Sequence, residues 1–433
     1  MPILCGLISS SAVELVLVCS STLRVVLIAA LCQTGLATAT AIGQQAFLSP
    51  LRGVLLLLLA LNFHACLAAL PIMGPGAGAS LSLNLFFLLL FTGKFFVANH
   101  LTLLYALFEL SLLPIFFIVI GWGYQVERAK ARAAIVVYTI AGSLPLLILV
   151  CFIGLNRPLS VVQMTAAPLG AGTGTLLLPL VAFLVKLPIV GFHMWLPKAH
   201  VEAPVVGSIF LAAVLLKLGG FGMLIFQGFL ATPSRVSLLT SIRGVGAVGV
   251  AALCCQTLDL KVLIAFTSVG HMALVVIGAA LGTHLRATVS VLVLLRHGFS
   301  SSLGFFMAFV LYKLTGSRSL LINKSLIGAA GLLIGLWVFI VLALIGCPPA
   351  INVWVEMSAF YIFLADAARL IKCLGLIALI RGVYGFILAG KVVGYCDLIF
   401  KLCGQATNSA LLHAFYSVLL TCLTVRLIAA LLF

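Results

Sequence analysis

Long apolar runs follow one another along almost the whole chain, and charges, Pro and Gly fall mostly between them. A stretch such as VLLLLLA at 54–60 carries no polar–apolar alternation. A transmembrane barrel is built from short alternating segments, so helices are the expected element. A helix needs roughly 20 apolar residues to cross the bilayer core. Dividing the chain at charges, Pro and Gly predicts spans at 3–19, 23–42, 51–71, 80–99, 101–121, 133–154, 175–194, 203–228, 236–256, 260–281, 287–313, 326–370 (broken), 372–395 and 408–430. That gives about 14 transmembrane helices in an all-α polytopic membrane protein, with residues 1–433 as a single membrane domain. A Gly-rich loop, GPGAGAS, separates the third span from the fourth.

Two spans are interrupted. Pro188 falls inside the seventh, and Cys347-Pro348-Pro349 falls inside the twelfth, five helices later. Proline removes a helical hydrogen bond and kinks the helix. In a membrane such a break survives only where protein buries it or it lines a wet cavity. Paired interrupted helices in two halves of a chain point to a transport site.

Composition agrees with a membrane protein: 64% of the 433 residues are hydrophobic and 7% charged, against about 25% charged in soluble domains. The net charge of +16 does not indicate nucleic acid, because the basic residues are scattered between apolar runs and no nucleic-acid motif is present. Loops after odd-numbered spans hold Arg128, Lys130, Arg132, Lys313, Arg318, Lys324, Lys391 and Lys401, whereas Arg235, Arg243 and Arg286 fall in the other set. The bias puts the odd loops on the cytoplasmic or matrix side. The 12 cysteines include no C-x-x-C pair, and buried Cys behaves as a small hydrophobe. No metal site, P-loop or hydrolytic constellation is visible. The N-terminus lacks a basic n-region and carries Glu14, unlike a secretory or transit peptide.

The chemistry lies in the charges inside the spans. Glu109 sits mid-span in LTLLYALFELSLLPIFFIVI, and Glu356 sits just past the double proline. Lys186 and Lys217 are likewise embedded in apolar sequence, as are His297 in VLVLLRHGFSSSLGFF and His271 in AFTSVGHMALVVIG. Each central charge costs roughly 2.5–3.5 kcal/mol. Four facing lipid would cost on the order of 10–14 kcal/mol, comparable to a whole protein's stability. They must therefore face inward, pair, or border water. A Lys near a carboxylate and a wet break can switch protonation, and His passes protons near neutral pH. The set reads as a midplane proton relay. His193, two turns beyond Lys186 and roughly 10 Å along one helix face, is a further candidate. Other readings stand beside these. Glu109 with Lys217 could form a static ion pair, His271 could bond Thr267 or Ser268, and His193 could sit at an interface. His200 and Glu202 fall in a predicted loop and lack the further ligands a zinc site needs.

The segment HMWLPKAHVEAPVVGSIFLAAVLLKLGGFG, residues 193–222, closely resembles the signature of the antiporter-like subunits of respiratory complex I. GWGYQVERAKARAAIVVYTIAGSLPLLI, DLKVLIAFTSVGHMALVVIG, RHGFSSSLGFF and CPPAINVWVE carry the same resemblance, which covers about residues 84–365. It implies two inverted five-helix repeats, 80–228 (helices 4–8) and 236–395 (helices 9–13), with helices seven and twelve broken. It also implies relay roles for Glu109, Lys186, Lys217, His297 and Glu356. Sister subunits usually carry Lys where this chain has Glu356, so the resemblance is nearest to the branch that carries Glu. Arg296 stands where a small residue is expected and needs a partner or a wet face. Val355 replaces an expected Gly and stiffens that segment.

The function implied is proton translocation in the membrane arm of NADH:ubiquinone oxidoreductase, with redox chemistry in other subunits. No cofactor is expected in this chain. The expected partners are other membrane-arm subunits, neighbouring antiporter-like chains among them, and membrane lipids. The expected location is the mitochondrial inner membrane, a bacterial plasma membrane being the alternative. A subunit of a multi-subunit cation/proton antiporter, or a scaffold that has lost transport, would share much of this sequence.

Overall fold

In lipid a backbone satisfies its hydrogen bonds only within the segment or within protein, and the apolar runs accordingly form helices. The computed structural model describes residues 44–73, 79–123, 127–156, 178–226, 233–280, 284–320, 331–347, 352–364, 375–385 and 388. The first two and the last predicted spans lie outside the described residues, as do Pro348, Pro349, most of the GPGAGAS loop and the region of Lys324. Among the described residues the helices are α1 (Gln44–Met73), α2 (Ala79–Val97), α3 (Leu101–Trp122), α4 (Arg128–Asn156), α5 (Leu178–Lys186), α6 (Trp195–Glu202), α7 (Val205–Ile225), α8 (Pro233–Gln256), α9 (Leu260–Ala280), α10 (His284–Thr315), α11 (Gly331–Ile345), α12 (Asn352–Leu364) and α13 (Gly375–Gly385). Among the described residues an isolated bridge joins Asp259 and Ser319, and no longer strand is present. Among the described residues, six helices are long and apolar enough to cross a bilayer alone: α2, α3, most of α4, α7, α9 and most of α10.

The helices sort into an inner and an outer set. The apolar windows of α7 and α10 are 100% buried and that of α9 is 94% buried, against 33% for α2 and α4. The inner helices are those that carry Lys217, His271 and His297. The outer ones show Phe86, Phe87, Phe117, Ile140 and Ile148 at their surface.

Local chemistry explains the irregularities. Helix α3 is jointed at Ser111, because the ring of Pro114 clashes with the Leu110 carbonyl four residues back. Helix α5 stops at Lys186, as the residue before a proline is disfavoured in the helical region. Leu187 to Met194 run as turns, with Gly191 at φ 102°. Trp195 Nε1 donates to the Val185 carbonyl at 3.0 Å and ties the restarted helix back to the interrupted one. Within α7, Leu211–Leu215 form a π turn, a local widening that frees carbonyls and often marks functional sites. At the end of α11, Gly346 takes φ 87°, and its N–H and that of Cys347 both donate to the Leu342 carbonyl.

The loops after the fifth, seventh, ninth and eleventh predicted spans meet at one end of the bundle. Leu260 N–H donates to the Arg318 carbonyl, and Leu320 N–H to that of Leu258. Arg318 and Lys261 both reach the Val201 carbonyl, and Gly123 packs near Arg128 and the Glu202 backbone. Consecutive spans therefore alternate in direction here, as the odd–even division of the basic loops requires.

Candidate functional site

The bend in α3 and the end of α5 bring Glu109 and Lys186 together. Lys186 is 3% exposed. Its Nζ donates to the Phe108 carbonyl at 2.9 Å and stands 3.1 Å from the centroid of the Phe108 ring. That cation–π contact and a carbonyl acceptor replace part of its hydration. Glu109, the next residue, acts electrostatically on Lys186 without a direct ion pair, and its buried Oε1 has no hydrogen-bond partner. Gly219 of α7 packs against the Lys186 stem: a Cβ there would lie 3.2 Å from that of Lys186. The close approach sets Lys186 beside the turn of α7 that holds Lys217.

Lys217 is fully buried. Its Nζ donates to the Ala212 carbonyl at 2.6 Å, inside the π turn, and to His297 Nδ1 at 2.9 Å. The widened turn thus supplies an acceptor five residues back that a regular helix would have engaged. A lysine ammonium only donates, so in the neutral His297 ring the proton is on Nε2. The rings of His297 and His271 are 5.9 Å apart between centroids.

His271 links this pair to the last cluster. Its Nε2 lies 3.0 Å from the Leu344 carbonyl, at the end of α11. A carbonyl can only accept, which leaves Nδ1 as the acceptor of the neutral ring. Arg296 Nη2 at 2.8 Å and Arg381 Nη1 at 3.2 Å donate to Nδ1. Both guanidiniums also donate to Glu356 Oε1, each at 2.7 Å, and that oxygen is 3.4 Å from His271 Nδ1. Gly346 makes room for this carboxylate, since a Cβ there would lie 2.8 Å from Glu356 Oε2.

The structure corrects several sequence expectations. Lys217 pairs with His297 and not with Glu109. His271 does not bond the hydroxyls of Thr267 and Ser268, which both turn back to the Ile264 carbonyl. His193 does not share a helix face with Lys186, because the helix ends between them; it is buried beside Phe266. His200 and Glu202 lie on α6 and are buried, not in a loop. Arg296 has its partner in Glu356. Arg381 was missed, although a lone charge in the run GLIALIRGVYGFIL is a sufficient signal.

Fold and site together define a polytopic helical membrane protein whose inner helices hold a buried file of ionisable side chains. Residues 98–380 match the family model described as NADH:quinone oxidoreductase/Mrp antiporter, TM, and the chain belongs to that family. It is 38% identical over 308 residues to NADH-ubiquinone oxidoreductase chain 4 of Lumbricus terrestris, covering 70% of this chain and 68% of the relative. The chain 4 of Aedes aegypti is 40% identical over 257 residues, 59% of this chain and 58% of the relative. That of Paracentrotus lividus is 35% identical over 321 residues, 72% and 67%. Its fold resembles a chain of respiratory complex I from Thermus thermophilus with bound NADH (TM-score 0.76, 24% identity, 84% of this chain and 79% of that one). It also resembles a chain of the Mrp complex from Dietzia sp. (TM-score 0.81, 15% identity, 98% and 93%).

Proposed function

We propose that the chain is the chain 4 subunit of NADH:ubiquinone oxidoreductase, a multi-pass protein of the mitochondrial inner membrane that translocates protons in the membrane arm. The observation that carries this reading is the buried file Lys217, His297, His271 and Glu356 across α7, α10, α9 and α12, hydrogen-bonded at Lys217–His297, with the two imidazole centroids 5.9 Å apart and His271 3.4 Å from Glu356, and with Lys186 and Glu109 at its head. The eukaryotic chain 4 relatives support the particular complex and its membrane. The finer architecture belongs to the same proposal: about 14 spans, inverted repeats at 80–228 and 236–395, basic loops toward the matrix, and no redox cofactor within the chain. Membrane lipids and adjacent antiporter-like subunits cover its outer helices.

Coupling is electrostatic in this reading. A charge or hydration change in a neighbouring subunit alters the Glu109–Lys186 interaction, and Lys186 gains or loses a proton. Lys217 and His297, already hydrogen-bonded, pass the proton on. His271 carries it toward Glu356, whose carboxylate and two guanidiniums set the potential at the end of the file. His193, buried but apart from these contacts, is assigned an auxiliary place at the helix break. A proton moved against 100 mV requires about 2.3 kcal/mol, within reach of a protonation preference changing by about two pK units.

Substituting Lys186 or Glu109 by Ala in the assembled complex tests the relay. Assembly and NADH oxidation with several-fold weaker proton translocation are expected. Translocation at the parent level would mean a scaffold. Failure to co-purify with iron–sulfur subunits and quinone reductase activity would favour a cation/proton antiporter complex, the other branch of the family.

A further inference from the structure

Two arginines converge on one buried carboxylate oxygen. Arg296 of α10 and Arg381 of α13 both reach Glu356 Oε1, each at 2.7 Å. Both also donate to His271 Nδ1, which lies 3.4 Å from that oxygen. All four side chains are buried. The packing fixes this meeting point. Gly385 leaves no room for a Cβ against Ile345, so α13 lies close on α11 and brings Arg381, one turn earlier, to the carboxylate. On α10, neighbouring residues point about 100° apart, which turns Arg296 to Glu356 and His297 to Lys217.

Charge and hydrogen bonding together decide the state of Glu356. A guanidinium does not give up its proton in a protein, so Arg296 and Arg381 are permanent cations. Two opposite charges at hydrogen-bond distance favour the ionised carboxylate. A proton added to Oε1 would displace charge-assisted hydrogen bonds. One added to Oε2 would neutralise the anion that the two guanidiniums share, which amounts to breaking a buried ion pair. The other groups around the carboxylate leave this balance in place. His271 faces it from α9 and Tyr384 of α13 interacts with it electrostatically. Cys254 and Cys255 of α8 act in turn on Tyr384, and α11 carries no titratable side chain.

We infer that Arg296 and Arg381 are positioning residues that hold Glu356 as a fixed carboxylate, so that it steadies charge arriving on His271 without itself taking up the proton. Glu356 is then an anchor for the file, where the family resemblance implies a relay group. Arg296, in a place where that resemblance expects a small residue, is the mark of this change in the sequence. The inference rests on the proton-translocation reading above and concerns the part of one group within it.

The test uses the assembled complex. Infrared difference spectra between NADH-driven turnover and rest are recorded for the parent and for Glu356→Asp. No protonated-carboxyl stretch assignable to residue 356 is expected in the parent; a parent band that shifts in Glu356→Asp would overturn the inference. In vesicles, protons translocated per NADH are followed as the pH is lowered from about 8 to about 6, where a buried carboxyl without its cations takes up a proton. Arg381→Met removes one cation, and its ratio is expected to fall several-fold relative to the parent at the acid end. Arg381→Lys keeps the charge and follows the parent. A ratio in Arg381→Met that tracks the parent, or an equal fall in Arg381→Lys, would also overturn the inference. Should Arg381→Met fail to assemble, the spectra decide alone. Lys186→Ala is run in parallel. Parent-level translocation there ends the relay reading itself, whereas loss there together with a shifting carboxyl band removes only the fixed-anion role of Glu356.

Discussion

Lys217 Nζ stands 2.9 Å from His297 Nδ1, joining α7 to α10 across 80 residues of sequence. The contact holds the lysine and the imidazole within hydrogen-bond distance and makes the two a single proton-sharing unit. Lys217→Met and His297→Phe should therefore act as one lesion. Each is expected to lower proton translocation several-fold, with little more lost in the double variant, as groups acting together are non-additive. Dye-monitored vesicle acidification, normalised to NADH oxidation, reads the cycle, and independent losses would separate the pair.

Arg296 is the residue whose presence the family resemblance does not anticipate, and it donates to both His271 and Glu356. Arg296→Met removes one of two cations from a buried carboxylate. Breaking a buried pair in this way costs up to about 3–5 kcal/mol. A lower melting temperature of the complex is expected, partly recovered in Arg296→Met with Glu356→Gln. No recovery would mean that Arg296 acts through packing.

Gly346 combines a φ of 87° with a site where a Cβ would touch Glu356. Gly346→Ala must strain the backbone by roughly 1–2 kcal/mol and push the carboxylate away from Arg296. The complex should assemble in reduced amount and translocate fewer protons per NADH. An unchanged ratio of protons to NADH would show that Glu356 tolerates displacement.

Trp195 holds the two halves of the broken helix together through the Val185 carbonyl. Trp195→Phe keeps most of the ring and loses a buried bond worth about 0.5–1.5 kcal/mol. Since Val185 precedes Lys186, translocation is expected to fall more than assembly. Measuring both on one preparation distinguishes this from simple destabilisation.

Much of this arrangement is legible in the sequence, for a physical reason. Lipid penalises charge and broken backbone so strongly that Pro188, Lys186, Lys217 and Glu356 stand out against a plain background. Partnerships are not legible, because they depend on how helices distant in sequence rotate against one another. The Lys217–His297 bond could not be told from a Glu109–Lys217 pair by position alone. His193 departs from the periodicity of Lys186 because helical spacing does not extend through Pro188, where the backbone turns. The burial of His200 is not legible, because a polar stretch between apolar runs looks like a loop, whereas here it is a short helix enclosed by its neighbours. Arg381 is legible in principle, as a lone charge within an apolar run.

The separation of inner from outer helices has a mechanical consequence. A bilayer too thick or too thin for its proteins exerts force on the hydrocarbon-facing helices, which respond by tilting. Helices α2 and α4 would absorb that stress here, while α7, α9 and α10 sit behind them like the works of a clock behind its case. Hydrogen-bond lengths of a few tenths of an ångström's tolerance can thus persist in membranes of differing lipid content and temperature.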